Sequence, residues 1–151
     1  MTYPVLNLPQ ASVRVRKRDG RTEVFDPLRQ RFVALTPEEW VRQNFTAYLI
    51  HHKHYPAVLM ANEVSITLGA VSRRCDTVVY GRDSQPRMIV EYKATTVQLT
   101  QRVFDQITRY NMVLHTPWLI VSNGLQHVCC KVDYEAGHVS FVEQIPDYSE
   151  L

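Results

Sequence analysis

The order of apolar and polar positions predicts that strands and helices are mixed along the chain. Residues 12–18 alternate apolar and basic side chains and then reach Asp19 and Gly20, a hairpin turn signal. Residues 21–25 are therefore expected to return as a second strand. Residues 31–35 predict a further short extended segment. The chain is thus expected to begin with a small hairpin extension.

Two helices are predicted from their start signals. Thr36 is an N-cap, Pro37 takes the first helical position, and Glu39 stands where it would complete a capping box. Apolar residues at helical spacing extend this helix to about residue 52. Thr100 caps a second helix, expected over residues 101–114.

A β-meander is predicted between the helices. Apolar and polar residues alternate over residues 63–69, which predicts a strand, and residues 74–80 and 88–93 are predicted to be the next two strands. The apolar segment 118–122 follows a helical crossover, which indicates parallel pairing inside the sheet. Residues 126–132 and 138–142 are expected to form a last pair of strands, followed by a peripheral tail from Ile145. The fold class is α/β in the α+β sense, with a central mixed β-sheet flanked by helices.

Length and composition place the chain among ordinary globular proteins. With 151 residues, 45% hydrophobic and 21% charged, it is expected to form one domain. Three cysteines without a Cys-x-x-Cys spacing indicate neither a disulfide framework nor a zinc knuckle. No apolar stretch approaches the roughly 20 residues of a membrane span, and the polar start is not a signal peptide. A cytoplasmic location without membrane contact is the expectation.

Positive charge is concentrated near the start of the chain. Residues 13–31 carry seven basic and three acidic side chains. Arg14 and Arg16 are therefore candidates for contacts with nucleic-acid phosphates. A solvated hairpin is the alternative.

Asp76, Glu91 and Lys93 form the constellation that indicates chemistry. Side chains two residues apart on a strand point to the same face, so Glu91 and Lys93 share one. Asp76 lies on the preceding strand and can approach Glu91 if the two strands pair. Two carboxylates this close repel each other, and a hard cation resolves the conflict.

Oxygen ligands favour Mg²⁺ or Mn²⁺ over zinc, and the backbone carbonyl of Tyr92 is a candidate third protein ligand. A metal here can polarise a phosphate and activate water, while Lys93 stabilises the developing charge. The alternative is a surface strand on which Glu91 and Lys93 form an incidental ion pair. Against it, the apolar neighbours of Glu91 predict a central strand.

Five ordered segments carry a resemblance to a known family. They are residues 36–45 (TPEEWVRQNF), 74–80 (RCDTVVY), 90–94 (VEYKA), 106–111 (QITRYN) and 121–124 (VSNG). Together, over about residues 22–125, they resemble the PD-(D/E)XK nuclease superfamily, and more narrowly the N-terminal nuclease domain of type I restriction enzyme R subunits. The resemblance implies one restriction-endonuclease-like domain over 1–151, with a hairpin extension (1–35), a nuclease core (36–125) and C-terminal strands with a tail (126–151).

The resemblance also implies roles for individual residues. Asp76 and Glu91 match the metal-binding acids, and Lys93 matches the catalytic lysine. Glu38 matches the acid of the first helix. A further pair, Gln106 and Tyr110, matches the glutamine-and-tyrosine motif of the second helix. For Tyr110 a packing role on that helix is the alternative to DNA contact.

Two departures from the family pattern are visible. Cys75 stands where the family has proline, a position that supplies no ligand, and the preceding Arg74 is a candidate phosphate contact or charge partner. No Gly-x-x-x-x-Gly-Lys loop for ATP is present, whereas the R subunits carry a translocase after this domain. A stand-alone nuclease and a nuclease targeted by a separate translocase or specificity protein are both open.

These observations predict a Mg²⁺-dependent endonuclease that hydrolyses phosphodiester bonds of DNA. A homodimer is one arrangement that would cut both strands. The first alternative is a non-catalytic nucleic-acid-binding or assembly module that kept the nuclease fold. The second is a structural protein in which the Glu91–Lys93 pair has no chemical role.

Overall fold

The computed structural model describes residues 3–151 and shows an α+β protein. A three-stranded antiparallel sheet precedes a mixed six-stranded sheet, whose strands lie side by side in their order along the chain. The strands are β1 (Val15–Arg18), β2 (Arg21–Asp26), β3 (Arg31–Ala34), β4 (Met60–Leu68), β5 (Val71–Tyr80), β6 (Pro86–Tyr92), β7 (Trp118–Ser122), β8 (His127–Asp133) and β9 (His138–Val142), and the helices are α1 (Pro37–His52) and α2 (Gln101–Met112). The predicted fold class and the order of its elements are confirmed.

Helix α1 begins where its predicted N-cap places it, but the prediction of a capping box is wrong. The Thr36 hydroxyl accepts a hydrogen bond from the Glu39 N–H at 3.1 Å. The Glu39 carboxylate does not bond back to the cap; it accepts from Arg29, Arg42 and Gln43 instead. Two guanidiniums and an amide therefore replace the backbone N–H that a capping box would supply.

Strand β6 lies inside the mixed sheet. It pairs antiparallel with β5 on one side and parallel with β7 on the other, with Glu91 opposite Val121. The parallel pairing follows from the crossover through α2, which brings the chain back in the same direction. The prediction that residues 118–122 form a parallel inner strand is confirmed.

Two apolar cores lie on the two faces of this sheet. One packs Val41, Phe45 and Leu49 of α1 against residues that include Val90 and Tyr92 of β6. The other packs Phe104 of α2 against residues that include Val78, Ile89 and Val121. Alternate residues of β6 thus face α1 and α2, which is the period of two expected for a strand.

The C-terminal tail is not peripheral, contrary to the prediction. Ile145, Tyr148 and Leu151 pack against the core on the α1 side. The Tyr55 hydroxyl donates to the Pro146 carbonyl at 2.9 Å, and the Tyr148 hydroxyl donates to the Tyr80 carbonyl at 2.9 Å. These apolar tail residues cover a surface that would otherwise be open to water. None of the helices within residues 3–151 is long and apolar enough to cross a membrane.

Candidate metal and nucleic-acid site

One cavity of about 510 Å³ gathers most of the predicted site residues. It lies where the middle of β5 and the end of β6 meet α1 and α2. The predicted residues that line it are Glu38, Asp76, Glu91, Tyr92, Lys93, Gln106 and Tyr110. The sequence prediction did not include the other four lining residues, which are Arg42, Glu63, Ile107 and Asn111.

Asp76 reaches the cavity at the point where the β5–β6 ladder ends. The last paired residues of that ladder are Thr77 and Val90, so Asp76 would next stand opposite Glu91. The Tyr92 N–H donates to the Asp76 carboxylate at 2.9 Å instead of to the β5 backbone. The carboxylate is therefore fixed beside Glu91 by the backbone of the strand that carries Glu91.

Glu91 is the most perturbed acid in the cavity. Its Oε1 atom is buried and has no hydrogen-bond partner in the part of the chain that the structure describes. Burial raises the pKa of Glu91 far above its usual range, and the neighbouring charge of Asp76 raises it further. The metal-free fold therefore favours a proton on Glu91 where a metal ligand would carry a negative charge.

Lys93 lies at the same cavity just past the end of β6. Its backbone N–H donates to the Ser122 carbonyl at 2.8 Å. This bond continues the parallel pairing with β7 and sets the direction of the backbone. Within residues 3–151, neither Glu91 nor Lys93 forms an ion pair. The alternative of an incidental Glu91–Lys93 pair thus lacks the contact on which it depends.

The two helices contribute polar side chains to opposite sides of the cavity. Glu38 comes from the first turn of α1 and is exposed, whereas the adjacent Glu39 is buried in ion pairs. Gln106 and Tyr110 lie one turn apart on α2 and are exposed at the cavity. Because Tyr110 is 46% exposed, it is not a core residue of α2.

Arg42 and Glu63 were missed by the sequence prediction. Arg42 lies on α1 one turn after Glu38 and is only 7% exposed, with its guanidinium donating to Glu63 at 2.6 Å. A signal for Arg42 exists in the sequence, because a charged residue three positions before Phe45 falls on the apolar face of the helix. For Glu63 no such signal exists, since its contacts depend on how α1 crosses β4.

The predicted phosphate-binding arginines lie outside this cavity. Arg74 pairs with Glu63 at 3.0 Å and its side chain is 62% exposed, so it stands next to the cavity and open to solvent. On the three-stranded sheet, Arg16 pairs with Glu23 and lies 3.7 Å from the centre of the Phe32 ring. Arg14 lies over the rings of Phe25 and Phe32. DNA contact by these arginines stays a prediction.

The residues of the cavity fit a divalent cation with an incomplete set of protein ligands. The buried, unpartnered Glu91 Oε1 and the adjacent Asp76 carboxylate form a donor set of hard oxygens. Burial and the charges of these two acids raise the pKa of Cys75 to about 12, so its thiol stays protonated without a metal. Within residues 3–151, no three His, Cys, Asp or Glu side chains come close enough to hold a metal by themselves. Backbone, water or phosphate oxygens would have to complete the coordination.

The fold and the cavity define an α+β protein in which two carboxylates, a lysine and a glutamine converge from neighbouring elements. The chain belongs to the family described as type I restriction enzyme R protein N terminus, whose model matches residues 37–146. This match contains all the cavity residues and excludes Arg14 and Arg16. No curated protein and no solved structure matches the chain significantly.

Proposed function

We propose that the chain is a metal-dependent endonuclease of the PD-(D/E)XK type that hydrolyses phosphodiester bonds of DNA. The observation that carries the proposal is the pairing of Asp76 with Glu91 in one cavity without a basic partner. Two such acids are costly to keep side by side, and a Mg²⁺ or Mn²⁺ ion removes that cost. Membership of a restriction enzyme family supports DNA as the substrate.

The cavity residues have distinct roles in this proposal. Asp76, Glu91 and the Tyr92 carbonyl would hold the metal, which would supply polarisation of a phosphate oxygen and a lowered pKa for a water. The Lys93 ammonium stabilises the negative charge that builds up on the phosphate as the water oxygen bonds to phosphorus and an ester P–O bond breaks. Glu38 and Gln106 orient the water and the phosphate from the two helices.

DNA would approach the cavity from its open side, where Tyr110 and Arg74 are exposed. Arg74 can contact a backbone phosphate, and Tyr110 can contact a sugar or base. Arg14 and Arg16 add a second basic surface on the three-stranded sheet. A separate translocase or specificity protein would bring the chain to its DNA, and a homodimer would cut both strands.

A non-catalytic nucleic-acid-binding module is the second candidate. It is favoured because, within residues 3–151, no third His, Cys, Asp or Glu side chain lies close enough to Asp76 and Glu91 to hold a metal together with them. In such a module Glu91 would remain protonated, and the cavity would bind DNA without cutting it.

Cleavage of supercoiled plasmid and of single-stranded DNA with Mg²⁺ or Mn²⁺ tests the proposal. We expect metal-dependent nicking that disappears with EDTA and in Lys93→Ala. Lys131→Ala is the matched control, because Lys131 lies exposed on β8 away from the cavity and should leave nicking unchanged.

Equal nicking by the Lys93→Ala and wild-type proteins would contradict the mechanism. DNA binding without cleavage by the wild-type protein, under either metal, would favour the non-catalytic module instead.

A further inference from the structure

Arg42 holds the strand that carries Asp76. Its Nη1 donates to the backbone carbonyl of Asp76 at 2.7 Å, and its Nη2 donates to Glu63 Oε1 at 2.6 Å. The third contact, from Nε to Glu39 Oε2 at 3.0 Å, fixes the guanidinium to its own helix. A buried planar group thus joins α1 to both β4 and β5.

The β4–β5 ladder is irregular where Arg42 touches it. Asn62 pairs with Thr77 and Val64 pairs with Cys75, but Glu63 and Asp76, which stand opposite each other between these pairs, are not paired. Glu63 has a φ of 55°, the left-handed region that a non-glycine residue rarely adopts. The Asp76 carbonyl, outside the ladder, takes its hydrogen bond from Arg42.

This irregularity changes which face the side chains of β5 occupy. Thr77 bonds to the Tyr92 hydroxyl in the core on the α1 side, whereas Cys75 packs in the core on the α2 side. In a regular strand, residues two apart would share one face. The reversal falls at Asp76, so the irregular backbone at Glu63 and Asp76 sets the direction of the Asp76 carboxylate.

We infer that Arg42 is a positioning residue that keeps Asp76 aimed at Glu91, and so sets metal affinity without binding the metal itself. This inference rests on the proposed function for its effect on metal binding. Its effect on the backbone at Asp76 does not depend on that function, because the Tyr92 N–H bond to the Asp76 carboxylate reports it directly.

A purely stabilising role is the alternative, and Arg29 provides the matched control. Like Arg42, Arg29 is mostly buried and bonds to two carboxylates, those of Asp26 and Glu39. Unlike Arg42, it touches neither β5 nor the cavity. Arg42→Met and Arg29→Met each remove one guanidinium from the same chain of ion pairs, but only the first removes the contact with Asp76.

The experiment measures two quantities for the wild-type protein and both variants at 10 °C, after circular dichroism has shown that each is folded. The first is amide hydrogen exchange at Tyr92 without metal, expressed relative to exchange at Ile120 in the core of β7 so that a loss of global stability cancels. The second is the Kd for Mn²⁺ by calorimetry. We expect Arg42→Met to speed exchange at Tyr92 and to weaken Mn²⁺ binding, each by about tenfold or more. Arg29→Met should change both by less than about threefold. If a methionine variant does not fold, Arg42→Lys and Arg29→Lys form the replacement pair, with the same order of effects.

Unchanged exchange at Tyr92 in a folded Arg42 variant would overturn the inference, and so would equal effects of the Arg42 and Arg29 variants. Failure of the proposed function has a different signature, in which the wild-type protein binds no Mn²⁺ while the exchange difference between the variants remains.

Discussion

Two groups of acidic side chains lie close together in this protein, and they differ in whether they have basic partners. Asp26, Glu39 and Glu63 each accept a hydrogen bond from at least one arginine. Asp76 and Glu91 have no arginine or lysine within ion-pair distance among the described residues. The two groups are linked by Arg42, which bonds to carboxylates of the first and to the backbone of the second.

The pKa values show the same difference. Burial alone would raise the pKa of Asp26, but Asn62 and Arg29 outweigh it and the pKa falls below its usual range. The pKa of Glu63 is lowered in the same way, against the effect of burial, by Arg42 and Arg74. For Glu91, burial and Asp76 both act in the opposite direction. The first group is neutralised within the protein, whereas the second requires a proton or a cation from solution.

Removing either cavity acid should have the largest effect. Asp76→Asn and Glu91→Gln should lower cleavage of plasmid DNA by at least about 10³-fold, which corresponds to roughly 4 kcal/mol of transition-state stabilisation. Asp83→Asn is the control, because Asp83 is an exposed acid in the β5–β6 turn that pairs with Arg87. Cleavage by Glu91→Gln at the wild-type rate would show that Glu91 has no role in the cleavage reaction.

Breaking an arginine pair of the first group should cost stability. Arg29→Met leaves the fully buried Asp26 with one partner fewer and should lower the free energy of unfolding by about 3 kcal/mol. Urea denaturation measures this loss. The exposed pair provides the comparison, since Arg87→Met should cost less than about 1 kcal/mol. Equal losses of unfolding free energy in the two variants would show that the buried ion pair stabilises the protein no more than the exposed one.

A divalent cation should stabilise the second group and leave the first unaffected. At about 100 times its Kd, Mn²⁺ should add about 2.7 kcal/mol to the free energy of unfolding and raise Tm by roughly 5–10 °C. Glu91→Gln should abolish this shift, whereas Glu39→Gln should retain it at a lower starting Tm. A shift that survives in Glu91→Gln would locate the metal elsewhere.

Without metal, the two groups should differ in the pH dependence of stability. The raised pKa of Glu91 favours its protonated form in the folded state, so its contribution is fully present below its ordinary pKa. That contribution is lost as pH rises toward the folded-state value. Between pH 5 and pH 8 the wild-type protein should therefore lose at least about 1 kcal/mol relative to Glu91→Gln.

Thermal unfolding of both proteins in EDTA across this pH range measures the difference. If the stabilities of the wild-type protein and Glu91→Gln change with pH in parallel, burial does not raise the pKa of Glu91.

The elements of the fold could be predicted because each depends on local pattern. The N-cap at Thr36 and the crossover before β7 indicated the start of α1 and a parallel inner strand. The shared face of Glu91 and Lys93 followed from the period of a regular strand, and Asp76 followed from the pairing of neighbouring strands. These rules need no knowledge of contacts between distant elements.

What could not be predicted depends on such contacts. The carboxylate of Glu39 bonds to two arginines, one from α1 and one from the loop after β2, so it does not close the capping box. The left-handed backbone at Glu63 breaks the alternation that the strand prediction assumes. The tail was predicted to be peripheral because of its polar residues, but its apolar side chains at Ile145 and Tyr148 contact the core.

Crystals grown or soaked with Mn²⁺, measured at a wavelength where manganese scatters anomalously, give the most direct test of the central claim. We expect one anomalous peak between the carboxylates of Asp76 and Glu91, about 2.2 Å from an oxygen of each. At saturating Mn²⁺ and pH 8, absence of that peak, with Glu91 hydrogen-bonded to Asp76 instead, would show that these two acids do not bind a metal.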